Sequence, residues 1–146
     1  MGHEAQSSQT MRMKVLRVEP YEPPKVVEID PGLKSLQKEV GGYIEVLYPF
    51  EDEVGIVCNE EGKLNGMELN RSLRDEAGEV CDVITGPFLI VGLGDEDFTS
   101  LSDDLIEKYR DIFAQPEVFI RTNSGLLVLP YVTDEFTFSS GDEMER

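Results

Sequence analysis

The amino-acid sequence predicts one α+β domain: a mostly antiparallel sheet with two helices packed on one face. Its 146 residues are about the size of a single domain. Strand-like runs come in closely spaced pairs, which favours antiparallel pairing, and only two segments have the apolar spacing of a helix. We expect a disordered leader at residues 1–12, the domain at 13–130 and an acidic C-terminal tail at 131–146.

Two hairpins are predicted in the first half of the domain. Strands at Lys14–Glu19 and Lys25–Ile29 are separated by a proline-rich turn. Strands at Tyr43–Tyr48 and Val54–Cys58 are separated by the sequence PFEDE, which is a suitable length for a hairpin connection. We therefore expect two antiparallel pairs.

A short amphipathic helix is predicted between these hairpins. Asp30 and Pro31 are typical of an N-cap and the first helical position, where the missing N–H of proline costs nothing. Apolar residues recur at helical spacing at positions 33, 36 and 40. Gly41-Gly42 then indicates the end of the helix, because glycine readily adopts the left-handed conformation.

The second half of the domain has a weaker pattern at first. Residues 63–80 are expected to be a loop or a single helical turn. Val83–Ile84 and Phe88–Val91 read as strands, and the unbroken apolar run FLIV predicts that the latter is central. A last hairpin is predicted at Val118–Arg121 and Leu126–Leu129.

The clearest helix follows a loop at Gly92–Ser100. Asp103 and Asp104 lie in its first turn, where the helix dipole favours acidic residues, and Pro116 marks its end. Its apolar face is predicted to contain Leu101, Leu105, Ile106, Tyr109, Ile112 and Phe113.

The charge composition argues against several classes of function. The chain carries 13 Lys and Arg against 30 Asp and Glu, a net charge of −17 at pH 7, and all of this net charge comes from residues 41–146. Direct binding to nucleic acid or to an anionic membrane needs clustered Lys and Arg, so we expect neither. No segment approaches the roughly 18 apolar residues of a membrane span. The polar N-terminus does not resemble a signal peptide, so we expect a cytoplasmic protein.

Cysteine and histidine are too few for most familiar hydrolase sites. His3 is the single histidine, which excludes a Ser-His-Asp triad, a Cys-His pair and an HExxH zinc site within one chain. Cys58 and Cys81 have no CxxC spacing and are expected to be reduced, buried thiols. Carboxylates at 51–53 and 75–76 are weak acid–base candidates, because sequence neighbours seldom converge. We therefore expect no catalytic residue, no metal and no cofactor.

One polar, partly basic stretch is a candidate ligand-binding site. Asn59, Asn70, Arg71 and Arg74 lie in an otherwise acidic region, and arginine is suited to bidentate recognition of carboxylate or phosphate. The alternative is that the two arginines pair with acidic neighbours at the surface, since exposed ion pairs are common and weak.

A second candidate is the loop that contains Asp95 and Asp97. With Thr99 they match the first, third and fifth places of a calcium-loop pattern, but other residues replace the glycine and glutamate that the pattern requires. A looser cation site that adds Asp103 and Asp104 is one alternative, and a solvated acidic loop is the simpler one. We assign Asp95 and Asp97 to partner binding.

The acidity itself allows three interpretations. It can serve solubility alone. It can imitate nucleic acid, with carboxylates arrayed like phosphates in the basic groove of a DNA-binding enzyme. It can also be the counter-charge for one basic partner protein.

Several motifs resemble a known family. The runs KVLRVEP, SLQKEVGGYIEVLYPFEDEVGIVCNEEGK, LNR, GPFLIVGL and FTSLSDDLIEKY are similar to the family catalogued as domain of unknown function 3846, over roughly two thirds of the chain. The resemblance implies an accessory protein of bacterial phages, plasmids or integrative elements in the cytoplasm, and it brings no catalytic residue. The matching positions include Gly41, Gly42, Asn59, Gly62, Asn70 and Arg71.

These observations favour a non-catalytic, acidic module that binds a macromolecular partner. In its concrete form the partner is a basic host protein of DNA processing or defence, which the module occupies as a DNA mimic. The alternative is a small-ligand or nucleotide-binding module that uses Asn59, Asn70, Arg71 and Arg74. An enzyme ranks third, and the oligomeric state is left open.

Overall fold

A computed structural model describes residues 12–132 of the chain. The predicted leader at 1–12 and acidic tail at 131–146 therefore lie almost entirely outside the described residues. Within the described range there are ten strands and two helices. They are β1 (Met13–Val18), β2 (Lys25–Ile29), α1 (Leu33–Val40), β3 (Ile44–Leu47), β4 (Val54–Asn59), β5 (Leu69–Arg74), β6 (Val80–Thr85), β7 (Phe88–Leu93), β8 (Phe98–Thr99), α2 (Asp103–Ile112), β9 (Glu117–Thr122) and β10 (Gly125–Pro130).

The main sheet has the strand order β2-β1-β7-β4-β3, with every neighbouring pair antiparallel. The short strand β8 pairs with the end of β7. All six residues of β4 and the first five of β7 are buried, so the predicted central strand FLIV is confirmed. The α+β class and the antiparallel pairing are confirmed as well.

The two helices lie on opposite faces of this sheet, so the prediction that both pack on one face is wrong. Val40 of α1 belongs to the same hydrophobic cluster as Val57. Tyr109 of α2 belongs to a second cluster with Ile56, the neighbour of Val57 in β4. Successive side chains of a strand point to opposite faces. A central strand that is apolar on both faces therefore needs a covering layer on each.

The helix ends differ in part from the prediction. Gly32, and not Asp30, precedes the first helical residue of α1, and no side chain caps this end. Gly41 ends α1 in the left-handed conformation, as predicted, with φ 80°. Ser102 caps α2 by accepting a hydrogen bond from the amide of Leu105. Ile112 is 51% exposed and does not belong to the buried face of α2.

Residues 63–80 contain a strand that the sequence pattern does not predict. β5 pairs with β6 as a separate antiparallel hairpin, and β6 is longer than the predicted Val83–Ile84. Asn70 and Arg71 occupy buried positions of β5. A strand is recognised in a sequence by apolar residues at its buried positions. Because two of the buried positions of β5 are polar, the sequence pattern does not predict this strand.

The predicted last hairpin is confirmed as β9 and β10, which form a third, two-stranded sheet. The Glu117 carboxylate at the start of β9 accepts hydrogen bonds from the amide and the hydroxyl of Ser72 in β5. This contact joins the last hairpin to the β5–β6 hairpin.

Candidate partner-binding site

The six residues predicted to bind a ligand or partner do not come together in one site. Asn59 is buried at the end of β4, where its side-chain amide donates to the carbonyl of Val40 and its Oδ1 accepts from the amide of Glu61. A side chain on Gly42 would come within 2.9 Å of the Asn59 amide nitrogen. Asn59 therefore holds the end of α1 against the turn after β4.

Asn70 and Arg71 form a buried polar clamp between loops. Arg71 is 1% exposed. It donates to the carbonyls of Phe113 (3.1 Å) and Glu22 (2.6 Å) and to Oδ1 of Asn70 (2.9 Å). Asn70 in turn donates to the carbonyls of Val18 and Gly86. The alternative of a surface ion pair for Arg71 is therefore not found among the described residues, and its donors bind backbone carbonyls and the Asn70 side chain instead.

Burial lowers the pKa of Arg71 to about 10, and the nearby Glu117 carboxylate opposes this shift. The guanidinium is still charged at neutral pH. A planar group with five N–H donors can satisfy several carbonyls at once, which an apolar side chain in this position cannot do. Arg71 therefore has a structural role in the clamp, and its donors are occupied by groups of the protein itself.

Arg74 lies at the surface of the β5–β6 hairpin. Its guanidinium donates to the carbonyl of Gly78 within the same hairpin, and no carboxylate within the described range lies within 4.0 Å of it. The alternative that Arg74 pairs with acidic neighbours is therefore not found in this part of the chain. Asp95 and Asp97 are exposed in the loop between β7 and β8, away from the clamp.

Asp95 and Asp97 form part of a larger acidic surface that we call the acidic end. The loop between β3 and β4 meets the loop between β7 and β8, because Val54 pairs with Gly92 and the amide of Leu93 donates to the carbonyl of Glu53. The acidic end consists of Glu51, Asp52, Glu53, Asp95, Glu96 and Asp97, of which all but Asp52 are exposed.

Asp52 is the one member of the acidic end that is ion-paired with a described residue. Its Oδ2 accepts from Lys108 Nζ at 2.6 Å and from the Tyr109 hydroxyl at 2.7 Å. These two hydrogen bonds, led by that of Lys108, lower the pKa of Asp52. Burial, together with the hydrogen bond that Tyr109 donates to Asp52, raises the pKa of Tyr109. Phe50 packs on Tyr109 with ring centroids 4.7 Å apart, so the β3–β4 loop is fixed to α2.

A shallow groove adjoins the acidic end. Its volume is about 340 Å³, and Tyr48, Leu93 and Phe98 line it together with Gly94, Asp95, Glu96 and Asp97. Tyr48 is 63% exposed. The surface therefore combines carboxylates with an exposed aromatic ring. A larger cleft of about 660 Å³ lies between α1 and β8 and shares Asp97 and Phe98 with the groove.

The remaining candidates for chemistry are the carboxylate clusters and the two cysteines. No group of three His, Cys, Asp or Glu side chains in this range could hold a metal ion. Cys58 is buried, as predicted, and burial raises the pKa of its thiol to about 11. Cys81 is exposed, against the prediction, and its thiol donates to the carbonyl of Leu73.

The β3–β4 carboxylates and Tyr48 were not among the predicted binding residues. The signal for them is present in the sequence as two acidic loops, EDE at 51–53 and DED at 95–97. The loops become one surface only because β4 pairs with β7, two strands that are separated in the chain by the β5–β6 hairpin.

The fold and this surface define a small, acidic α+β domain. The family model for the domain of unknown function DUF3846 matches residues 13–114, and the chain belongs to this family. The match covers the main sheet, both helices and the β5–β6 hairpin, and it ends before β9. No curated protein and no solved structure matches the chain. Neither helix of the described residues is long and apolar enough to cross a membrane.

Proposed function

We propose that this protein is a non-catalytic binding module of a bacterial mobile element, and that its acidic end binds a basic surface of a macromolecular partner in the cytoplasm. The observation that carries the proposal is the pairing of two loops. Glu51, Glu53, Asp95, Glu96 and Asp97 are exposed there. None of them has a Lys or Arg partner within 4.0 Å among the described residues.

The acidic end is suited to a partner because it is held in place before binding. The bond from Leu93 to Glu53 joins the two loops, and Asp52 fixes the first loop to α2. A preformed array of charges loses less entropy on binding than a flexible tail. Long-range attraction would also speed the encounter with a basic partner.

The exposed ring of Tyr48 supports a protein partner. Tyrosine offers a large apolar face and a hydroxyl, and it is enriched in protein interfaces. The ring lines the same groove as Phe98 and the carboxylates of the β7–β8 loop. A Lys or Arg side chain of the partner would meet both an aromatic face and carboxylates here.

The finer form of the proposal is DNA mimicry. Fixed carboxylates at the acidic end would occupy the groove in which a host DNA-processing or defence protein holds phosphates. The small-ligand alternative at Asn59, Asn70, Arg71 and Arg74 finds no support, because the first three side chains are buried and bonded to the protein itself.

The test compares three forms of the full chain immobilised and exposed to a bacterial lysate at low salt. One is the natural sequence. The second neutralises the acidic end, and the third neutralises five exposed acids elsewhere, so that both variants change the charge equally. The substitutions are E51Q, E53Q, D95N, E96Q and D97N in the second form, and E60Q, E61Q, E76Q, E79Q and E107Q in the third.

We expect the natural chain and the third form to retain the same basic proteins and the second form to lose them. NaCl at ~0.5 M should release them, because the Debye length is then only a few ångströms. Release by duplex DNA at low salt would support mimicry, whereas a partner that DNA does not displace would support a basic partner of another kind. Equal retention by all three forms, or none by the natural chain, contradicts the proposal.

A further inference from the structure

The β9–β10 hairpin exposes an apolar face that the rest of the described chain does not cover. Val118 and Ile120 lie two residues apart on β9, and their cross-strand partners on β10 are Leu129 and Leu127. The four side chains therefore share one face of the hairpin. Ile120 and Leu127 are each 46% exposed and Leu129 is 39% exposed. Neither hydrophobic core cluster contains a residue of this hairpin.

We propose that this face, which we call the hairpin face (Val118, Ile120, Leu127 and Leu129), is where two copies of the chain associate. A two-stranded hairpin is marginally stable in water unless something packs on it. A flat aliphatic patch can pack against its own copy, as a twofold interface requires, in the manner of two sheets packed face to face.

Charge favours a second copy at this place. Each chain carries a net charge of −17, so two copies repel each other over most of their surface. Residues 118–132 contain a single charged residue, Arg121, and no acid. This stretch is therefore a region where two such chains can meet without opposing carboxylates.

The hairpin face also lies far from the acidic end. Tyr131, directly after β10, packs on Tyr21 in the loop that follows β1, and that end of β1 pairs with the first residue of β7. The acidic loops are next to Leu93, the last residue of β7. A dimer formed through the hairpins would keep the two acidic ends apart and leave both free.

Four half-exposed side chains per copy bury less than the roughly 1,200 Å² of a standard stable interface. We therefore expect a weak, concentration-dependent dimer, with a Kd in the micromolar range or above. Its salt dependence should be opposite to that of a charge-driven complex. NaCl screens the repulsion between two acidic chains, so it should strengthen the dimer.

The test is sedimentation equilibrium of the full chain between about 5 and 500 µM at two salt concentrations. The probe is the chain itself, with Ile120→Asp as the disrupting variant and Leu126→Asp as the control. Leu126 is 38% exposed and lies on the opposite face of the same hairpin, where its cross-strand partner is Arg121, so Leu126→Asp adds the same charge to the hairpin outside the hairpin face. Leu127→Asp, at the cross-strand partner of Ile120, is a second disrupting variant.

We expect a natural dimer that is tighter at high salt, a loss of affinity of at least about tenfold in both disrupting variants, and a dimer close to the natural one for Leu126→Asp. A natural chain that is monomeric at 500 µM overturns the proposal. In that case, a larger fall in melting temperature for Ile120→Asp than for Leu126→Asp would point to residues 133–146 of the same chain as the cover, and an equal effect would point to a different protein. Equal dimerisation of Ile120→Asp and the natural chain also overturns it.

Discussion

Arg71 shows how a buried charge can serve the fold of a small domain. Its guanidinium donates to no carboxylate among the described residues and instead donates to the carbonyls of Glu22 and Phe113. These carbonyls belong to the loop after β1 and to the end of α2. Loop carbonyls cannot be left buried without a donor, and a charged donor forms stronger hydrogen bonds than a neutral one.

Arg71→Ala is expected to destabilise the protein strongly, by about 3 kcal/mol or more, because it removes these donors and leaves a cavity. The stability of Arg71→Lys should lie between that of the natural chain and that of Arg71→Ala, since lysine keeps the charge and loses the planar fork. Urea unfolding measures both. Arg74→Ala is the control, with an expected change of about 0.5 kcal/mol or less at an exposed position. A loss as small for Arg71→Ala as for Arg74→Ala would contradict the clamp.

Asn70 and Arg71 also show what can be predicted for single residues. The sequence singles them out because they belong to a polar, partly basic stretch in an otherwise acidic region. Whether they bind a ligand or the backbone depends on which loops surround them. Those loops are supplied by β1, β6 and α2, which are distant in the chain, so residue type alone suggests a ligand site where the fold has a clamp.

At the scale of elements, the predictions hold where local signals decide. The paired strands, the glycine stop of α1 and the final hairpin follow from spacing and turn residues. The prediction fails for β5, whose buried positions are polar, and for the side of the sheet on which each helix lies. Helix placement depends on the two faces of β4 and β7. Since each of these strands is apolar on both faces, an apolar run alone cannot show on which face a helix packs.

The attachment of the β3–β4 loop to α2 should depend on pH. Since Lys108 and Tyr109 lower the pKa of Asp52 below its ordinary value of 3.8, the ionised carboxylate stabilises the folded state above that pH. This contribution is lost as the pH falls through the folded-state pKa. The natural chain should therefore be more stable than Asp52→Asn near neutral pH, and the difference should shrink towards zero below pH 3.8.

Urea unfolding of both forms between about pH 2.5 and 7 measures this difference, and subtraction removes the titration of the other acids. Glu51→Gln is the control, because Glu51 is exposed and has no cationic partner among the described residues. The difference in unfolding free energy between Glu51→Gln and the natural chain should not shrink in the same way as the pH falls. A difference for Asp52→Asn that stays constant across this range would show that the ion pair does not hold the loop.

At the scale of the whole molecule, the acidic end and the hairpin face are separated from each other. The acidic loops lie at one end of the main sheet, and residues 118–132, which contain no acid, lie at the other. The size of the net charge is evident from composition, but this separation is not. It arises because β4 and β7 bring the two acidic loops together, while β5 and the loop after β1 hold the last hairpin.

The acidic end should reduce stability, because carboxylates crowded on one surface repel each other in the folded chain more than in the unfolded chain. The variant that carries E51Q, E53Q, D95N, E96Q and D97N is therefore expected to melt at a higher temperature than the natural chain at low salt. NaCl should narrow this gap, since screening relieves the same repulsion in the natural chain. Thermal unfolding at about 20 and 300 mM NaCl measures both effects.

The variant with E60Q, E61Q, E76Q, E79Q and E107Q controls for the loss of charge itself. If the repulsion is local to the acidic end, this control gains less stability than the acidic-end variant. The difference between its melting temperature and that of the natural chain then also depends less on salt. An equal gain would assign the repulsion to the net charge of the whole chain. A destabilised acidic-end variant would mean that these carboxylates support the fold. Greater stability together with lost binding to a basic partner would indicate that the carboxylates are kept for the partner at the expense of the fold.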